Sequence, residues 1–209
     1  MYPNPTFIVG HMSNDMVKFG GIGAILCMLS AIAEIVAVTM LWLSPIDYAF
    51  SGTHIDFGSS IVMAVGIALL SIGAFGLLKQ YNTPSLRNVG MFGMVAMVVG
   101  LIASIIAWRD GYAITSASLI FSDVALTNSV GVAGIVWLEI TGLFLIMLGF
   151  AIYQLKEKTG VEQLTNAAGI LTMITGAVFC AIIPFGYLYG QIPFLLSTVL
   201  LAYVLFKAR

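Results

Sequence analysis

The sequence predicts an all-α fold, a polytopic membrane bundle of six transmembrane helices. Three observations carry this. The chain is 60% hydrophobic and only 8% charged, with a mean hydropathy of +1.07. Soluble domains carry about a quarter charged residues, so this chain cannot cover its surface for water. Its apolar residues fall into six runs, at 18–43, 58–78, 88–108, 130–155, 164–189 and 191–206. A helix crosses the hydrocarbon with roughly 20 apolar residues, and only the last run is short. None of the runs shows the two-residue alternation of a barrel strand, so helices must satisfy the backbone in lipid.

The third observation is the segregation of basic residues. With six spans, Lys18, Lys79, Arg87, Lys156, Lys158, Lys207 and Arg209 fall on one side and Arg109 alone on the other. Basic residues mark the cytoplasmic side. The expectation is a cell-membrane protein with both termini cytoplasmic. Asp47, Asp56, Asp110 and Asp123 then lie in outer loops.

Taken in order, residues 1–17 form a cytoplasmic amino-terminal segment, and 18–209 form one membrane domain. In span one, Lys18, an apolar stretch and "SAIA" imitate a secretion signal with its cleavage site. The run continues to Leu43, and cleavage would destroy the span, so it is read as a span. Span two ends at Lys79 and span three at Arg109. Loops 44–57 and 109–129 are long enough to fold over the outer face, and "SASLIFSDVAL" could form an interfacial helix there. Span four ends in "QLKEK", and span five contains Pro184, expected to kink it. Span six carries Pro193 near its start.

Spans two and three echo spans four and five at an offset of 76. Gly66 meets Gly142, Gly73 meets Gly149, Gly93 meets Gly169 and Gly100 meets Gly176. Span one joins span three at an offset of 70. The simplest account is a three-fold repeat of a two-helix hairpin, with hairpins at about 18–78, 88–155 and 164–206. One helical face then recurs. It holds Gly20, Gly23, Cys27, Ser30 and Glu34 in span one. Span three offers Gly90, Gly93, Met97, Gly100 and Ser104, and span five Asn166, Gly169, Met173, Gly176 and Cys180. Spacings of three and four keep these on one side of a helix. Small residues let membrane helices approach closely. Either spans one, three and five form a tight inner seam, or their small and polar atoms line a narrow path. Cys27 and Cys180 differ in depth by about 10 Å at 1.5 Å per residue, which argues against a disulfide.

Two carboxylates sit inside spans, Glu34 and Glu139. An acid in hydrocarbon costs at least a few kcal/mol and is a functional hypothesis by default. Glu34 lies 11 residues from Pro45 and Glu139 lies 10 from Ser129. Both are thus about 15–16 Å from the outer boundary. The expectation is a pair at one depth, facing the interior and holding a proton or cation; the plainer alternative is two separate hydrogen-bonded acids that fix packing. His54 with Asp56 is half a metal site at most, and no histidine pair offers axial haem ligands. No metal, cofactor or nucleic acid is expected. The absence of a nucleophile pair or cofactor motif argues against an enzyme.

The stretch "LGFAIYQLKEKTGVEQLTNAAGIL", with its weaker copy "IGAFGLLKQYNTPSLRNVGMFG", resembles uncharacterised multi-pass membrane proteins common in archaea. That resemblance implies no activity. Three two-helix hairpins in about 200 residues also resemble the architecture of proton-gated urea channels and acetate–succinate transporters. The "NPTFIVG" at 4–10 departs from the acetate family's entry motif after its proline, which leaves the substrate open. The functional expectation is a small-solute or ion channel or transporter with an intramembrane carboxylate site. The alternative is a non-catalytic accessory subunit of a larger membrane complex. Partners would be the lipid bilayer and either further copies of the chain or other membrane subunits.

Overall fold

The computed structural model describes residues 5–44, 53–111, 129–181 and 186–207. Among these residues every regular element is a helix. They are α1 (Pro5–Leu43), α2 (Thr53–Tyr81), α3 (Ser85–Gly111), α4 (Ser129–Tyr153), α5 (Glu162–Ala181) and α6 (Gly186–Lys207). Each contains a stretch long and apolar enough to cross a membrane.

Several boundaries move from those expected. Helix α1 begins at Pro5, inside the expected amino-terminal segment, and its membrane-crossing stretch begins at Ser13. Ser13 and Val17 are buried against the bundle, and the Gln80 amide donates to Asn14 Oδ1 at 2.5 Å. His54 and Asp56 fall in the first turns of α2 rather than in a loop. The described part of span five ends at Ala181, and span six is already helical at Gly186, ahead of its expected start at 191. Pro184, the segment "SASLIFSDVAL" and most of loop 44–57 lie outside the described residues.

The turns at the basic end have local causes. Asn82 ends α2 in the left-handed conformation (φ 49°), which Asn tolerates better than most residues, and its N–H donates to Leu78 O at 2.8 Å. Pro84 follows, where a missing N–H costs nothing at a helix start. After α4 the chain turns through Gly160 (φ 72°), and the Thr159 and Thr165 hydroxyls share a hydrogen bond of 2.6 Å. Glu162 opens α5, where the helix dipole favours an acid.

Each helix packs on its neighbours in sequence, and α6 closes on α1 to complete a ring. Neighbours run antiparallel: Gly20 meets Gly73 near one end of α1–α2, and Ser30 bonds Ser59 toward the other. Lys79, Arg87, Lys156 and Lys207 therefore collect at the end where Lys79 Nζ reaches Met16 Sδ at 3.5 Å. Lys156 Nζ donates to the Tyr153 hydroxyl there at 3.2 Å, and that bond holds the ammonium above the usual lysine range.

The odd-numbered helices do not form a common inner seam. They alternate with the even ones around the ring. The spans of α2 and α4 are the most buried, at 56% and 50%, against 39% for α3 and α5. The recurring small-residue face instead divides among separate interfaces.

Two of these interfaces are backbone crossings. In α1–α2, a β-carbon at Gly66 would lie 2.6 Å from Cys27 Sγ, and one at Gly23 would lie 2.7 Å from Leu70 N. In α4–α5, a β-carbon at Gly142 would lie 2.5 Å from Cys180 Sγ, and one at Gly176 would lie 2.7 Å from Ile146 N. Cys27 Sγ donates to Met63 O, and Cys180 Sγ donates to Glu139 O at 3.6 Å. Gly66, Leu70 and Met63 map onto Gly142, Ile146 and Glu139 at the expected offset of 76. Gly23 and Cys27 map onto Gly176 and Cys180, an offset of 153, seven residues beyond the register read from the sequence. Seven residues are about two helical turns, so the shift preserves the face and the spacing cannot reveal it.

The other interfaces seat aromatic rings on glycines. Phe75 sits on Gly90, and Trp137 on Gly100; Phe144 and Ser71 both meet Gly93, Phe206 meets Gly21, and Phe179 meets Gly190. The α3–α4 pair, which a three-fold hairpin repeat would place in the role of α1–α2, is of this second kind.

Candidate functional site

Glu34 lies in the α1–α2 interface, 3% exposed. Its Oε1 accepts a hydrogen bond from Ser59 Oγ on α2, and Ser30 Oγ donates to Ser59 O at 2.9 Å. Together the three side chains make a buried polar cluster just outward of the Cys27–Gly66 crossing. Helix α1 places Ser30 and Glu34 one and two turns beyond Cys27 on the same face. Helix α2 supplies Ser59 one turn beyond Met63, so the two strips match in antiparallel register.

Glu139 lies elsewhere. It is on α4, half-buried, and its backbone oxygen takes the Cys180 thiol. In the α4–α5 crossing it occupies the place that Met63 holds in α1–α2. Ser59, the partner of Glu34, is one turn further out, a rise of about 6 Å. Helices α1 and α4 are not neighbours in the ring. The structure does not bring the two acids into one site, and relative to the crossings they are not level.

The two crossings also present opposite flanks to the core. Cys27 and Met63 are 0% and 5% exposed, whereas Cys180 and Glu139 are only partly buried. The ring order explains this. Passing from the ascending to the descending helix goes one way round the ring for α1–α2 and the other way for α5–α4. The flank that faces inward in the first pair therefore faces outward in the second. Val136 and Leu143 on α4, and Ile174 on α5, are exposed on that outer side, at 43%, 47% and 51%.

The remaining candidates separate. Gly23 and Ser30 face α2, and Gly169, Gly176 and Cys180 face α4. Gly93 and Gly100 receive side chains from α2 and α4, while Ser104 Oγ bonds its own helix at Gly100 O, 2.7 Å away. They do not converge on one path. Sequence reading missed Ser59, whose only signal was a "GSS" at the start of span two, and it missed Trp137 as the ring that fills the space over Gly100.

No family model matches the chain, and neither a curated protein nor a solved structure matches it. The fold defines the class. Six helices of membrane-crossing length and composition make this an integral, multi-pass membrane protein.

Proposed function

We propose that the protein is a small-solute or ion channel or transporter whose intramembrane site is Glu34 with Ser59 and Ser30, with no catalytic role. The basic end of the bundle, from which α1 starts and at which α6 ends, faces the cytoplasm of the cell membrane. The observation that supports the site is a carboxyl 3% exposed in mid-span, held by a serine of the neighbouring helix. A buried acid that accepts a hydroxyl can exchange a proton or cation when the helices part, and such acids mark ion and proton routes in membranes. Reconstituted into liposomes, the wild type then shows a flux that Glu34→Gln changes in size or pH dependence, without loss of the folded state. Identical flux in the two proteins, for protons, cations and small neutral solutes alike, rejects the reading.

A second reading has its own observation. Glu139 and Cys180 sit on the outer flank of α4–α5 as a partly exposed polar pair, the thiol donating to the Glu139 backbone oxygen. A membrane subunit packed on that flank would cover this polar pair from lipid, which suits an accessory role in a larger complex. Purification from native membranes separates the readings: stoichiometric co-migrating chains favour the accessory role, and a homo-oligomer or monomer favours transport.

A further inference from the structure

Glu139 and Cys180 touch twice on the outer flank of the bundle. The thiol donates to the Glu139 backbone oxygen at 3.6 Å, and the Glu139 carboxyl makes a side-chain hydrogen bond with the same thiol. This holds the carboxyl at the α4–α5 seam, only partly buried. The flank around it is apolar and exposed, with Val136 and Leu143 on α4 and Ile174 on α5. Ala177 and Ala181 of α5 are exposed as well. Small residues four apart let another membrane helix approach closely.

Glu139 stands about 21 Å from Tyr153, the basic-end residue of α4, at 1.5 Å per residue. The hydrocarbon is about 30 Å thick, so the carboxyl lies within it. Charged groups at that depth pair with one another or carry a high cost. The chain brings no cation to this level. Lys18, Lys79, Arg87, Lys156, Lys158 and Lys207 lie toward the basic end, and Arg109 is two residues from the other end of α3. A second copy in the same orientation brings none either, because its basic residues stand at the same levels. Charge complementarity calls for a different chain.

We propose, on the basis of the accessory role of this flank, that the partner is a transmembrane helix with one Lys or Arg level with Glu139. Its cation pairs with the Glu139 carboxylate, and its backbone lies against Ala177 and Ala181. Glu34, 3% exposed, offers no such surface.

Cross-linking of the full chain in phosphatidylcholine vesicles tests this. The probe is a synthetic Leu–Ala transmembrane helix with one Lys level with Glu139 and a Cys one turn from it. Iodine oxidises that Cys and Cys180 to a disulfide. The Lys peptide is expected to cross-link at least about fivefold more than the same peptide with Leu in place of Lys. Moving the Lys two turns toward the end of the peptide removes the excess, and so does Glu139→Gln. A Leu peptide that cross-links equally to the wild type overturns the proposal, whether or not Glu139→Gln folds. An excess that survives Glu139→Gln overturns it too. Purification from native membranes separates this failure from failure of the accessory role. A co-migrating chain held equally by wild type and Glu139→Gln keeps the role and rejects the ion pair. No co-migrating chain from the wild type ends the role itself, and the proposal with it.

Discussion

Cys27 and Cys180 hold the same place in two glycine crossings and face opposite ways, Cys27 into the bundle and Cys180 toward its outer flank. Thiol reactivity requires access to the sulfur. In detergent, a small lipid-soluble maleimide is therefore expected to modify Cys180 well before Cys27, read by mass spectrometry of the intact chain and its peptides. Cys180→Ser abolishes the early modification and Cys27→Ser leaves it unchanged. Equal rates at the two sulfurs mean the second crossing is not turned outward.

Glycine substitutions divide into two groups. Gly66→Val and Gly142→Val drive a side chain into the facing cysteine and backbone, and each destabilises by about 1–3 kcal/mol or more. Gly93→Leu and Gly100→Leu displace Phe144 and Trp137 at a similar cost. Gly58 and Gly134 have nothing within reach of an added β-carbon. There Ala is tolerated or adds up to about 1 kcal/mol by helix propensity. Reversible unfolding in mixed micelles measures all six variants. A loss at Gly134→Ala equal to that at Gly142→Val contradicts the packing described.

Ser59→Ala removes a hydroxyl donor to the buried Glu34 carboxyl, a cost of about 1–3 kcal/mol. Ser30→Ala removes a bond to a carbonyl that remains available to its own helix, and costs about 1 kcal/mol or less. The order of the two losses is the check; a reversed order displaces Ser59 from the centre of the cluster.

Because Glu34 and Glu139 lie in different interfaces, neither should sense the other. Infrared difference spectra are expected to show the Glu139 carboxyl stretch unmoved by Glu34→Gln. A shift of that band restores the shared acid pair that the sequence had suggested.

Reporter fusions after Tyr81 and after Thr159 should read on the same side of the membrane, since both close the basic end of the bundle. A fusion after Gly111 should read on the other side. Opposite readings at Tyr81 and Thr159 break the antiparallel ring.

Much of the fold was legible because hydrocarbon is an undiscriminating solvent. It asks for about 20 apolar residues and rewards basic residues on one side. Those demands are written residue by residue, so the six spans and their alternation followed directly. The 76-residue echo was also readable, as it preserves Gly66 and Gly142 against equivalent cysteines. The register of α5 was not. A heptad shift leaves the same face showing, and only the contact of Gly176 with Ile146 tells it from the alternative. The Glu34 cluster was half legible. The acid stood out by its cost, but its partner Ser59 lies 25 residues away on another helix and carries no pattern of its own.

By itself the sequence determined the solvent, the number of spans and the positions where helices can touch. Tertiary structure decided which helices touch there. Spacing within one helix specifies a face, and a small-residue face fits any neighbour of similar shape. Closing the chain into a ring assigned the Gly23 face to α2 and the Gly176 face to α4. The same closure turned one crossing inward and the other outward. It sealed Glu34 against Ser59 and left Glu139 beside Cys180 on the outer flank. Handedness around a ring is a property of the whole assembly of helices, and no single span encodes it.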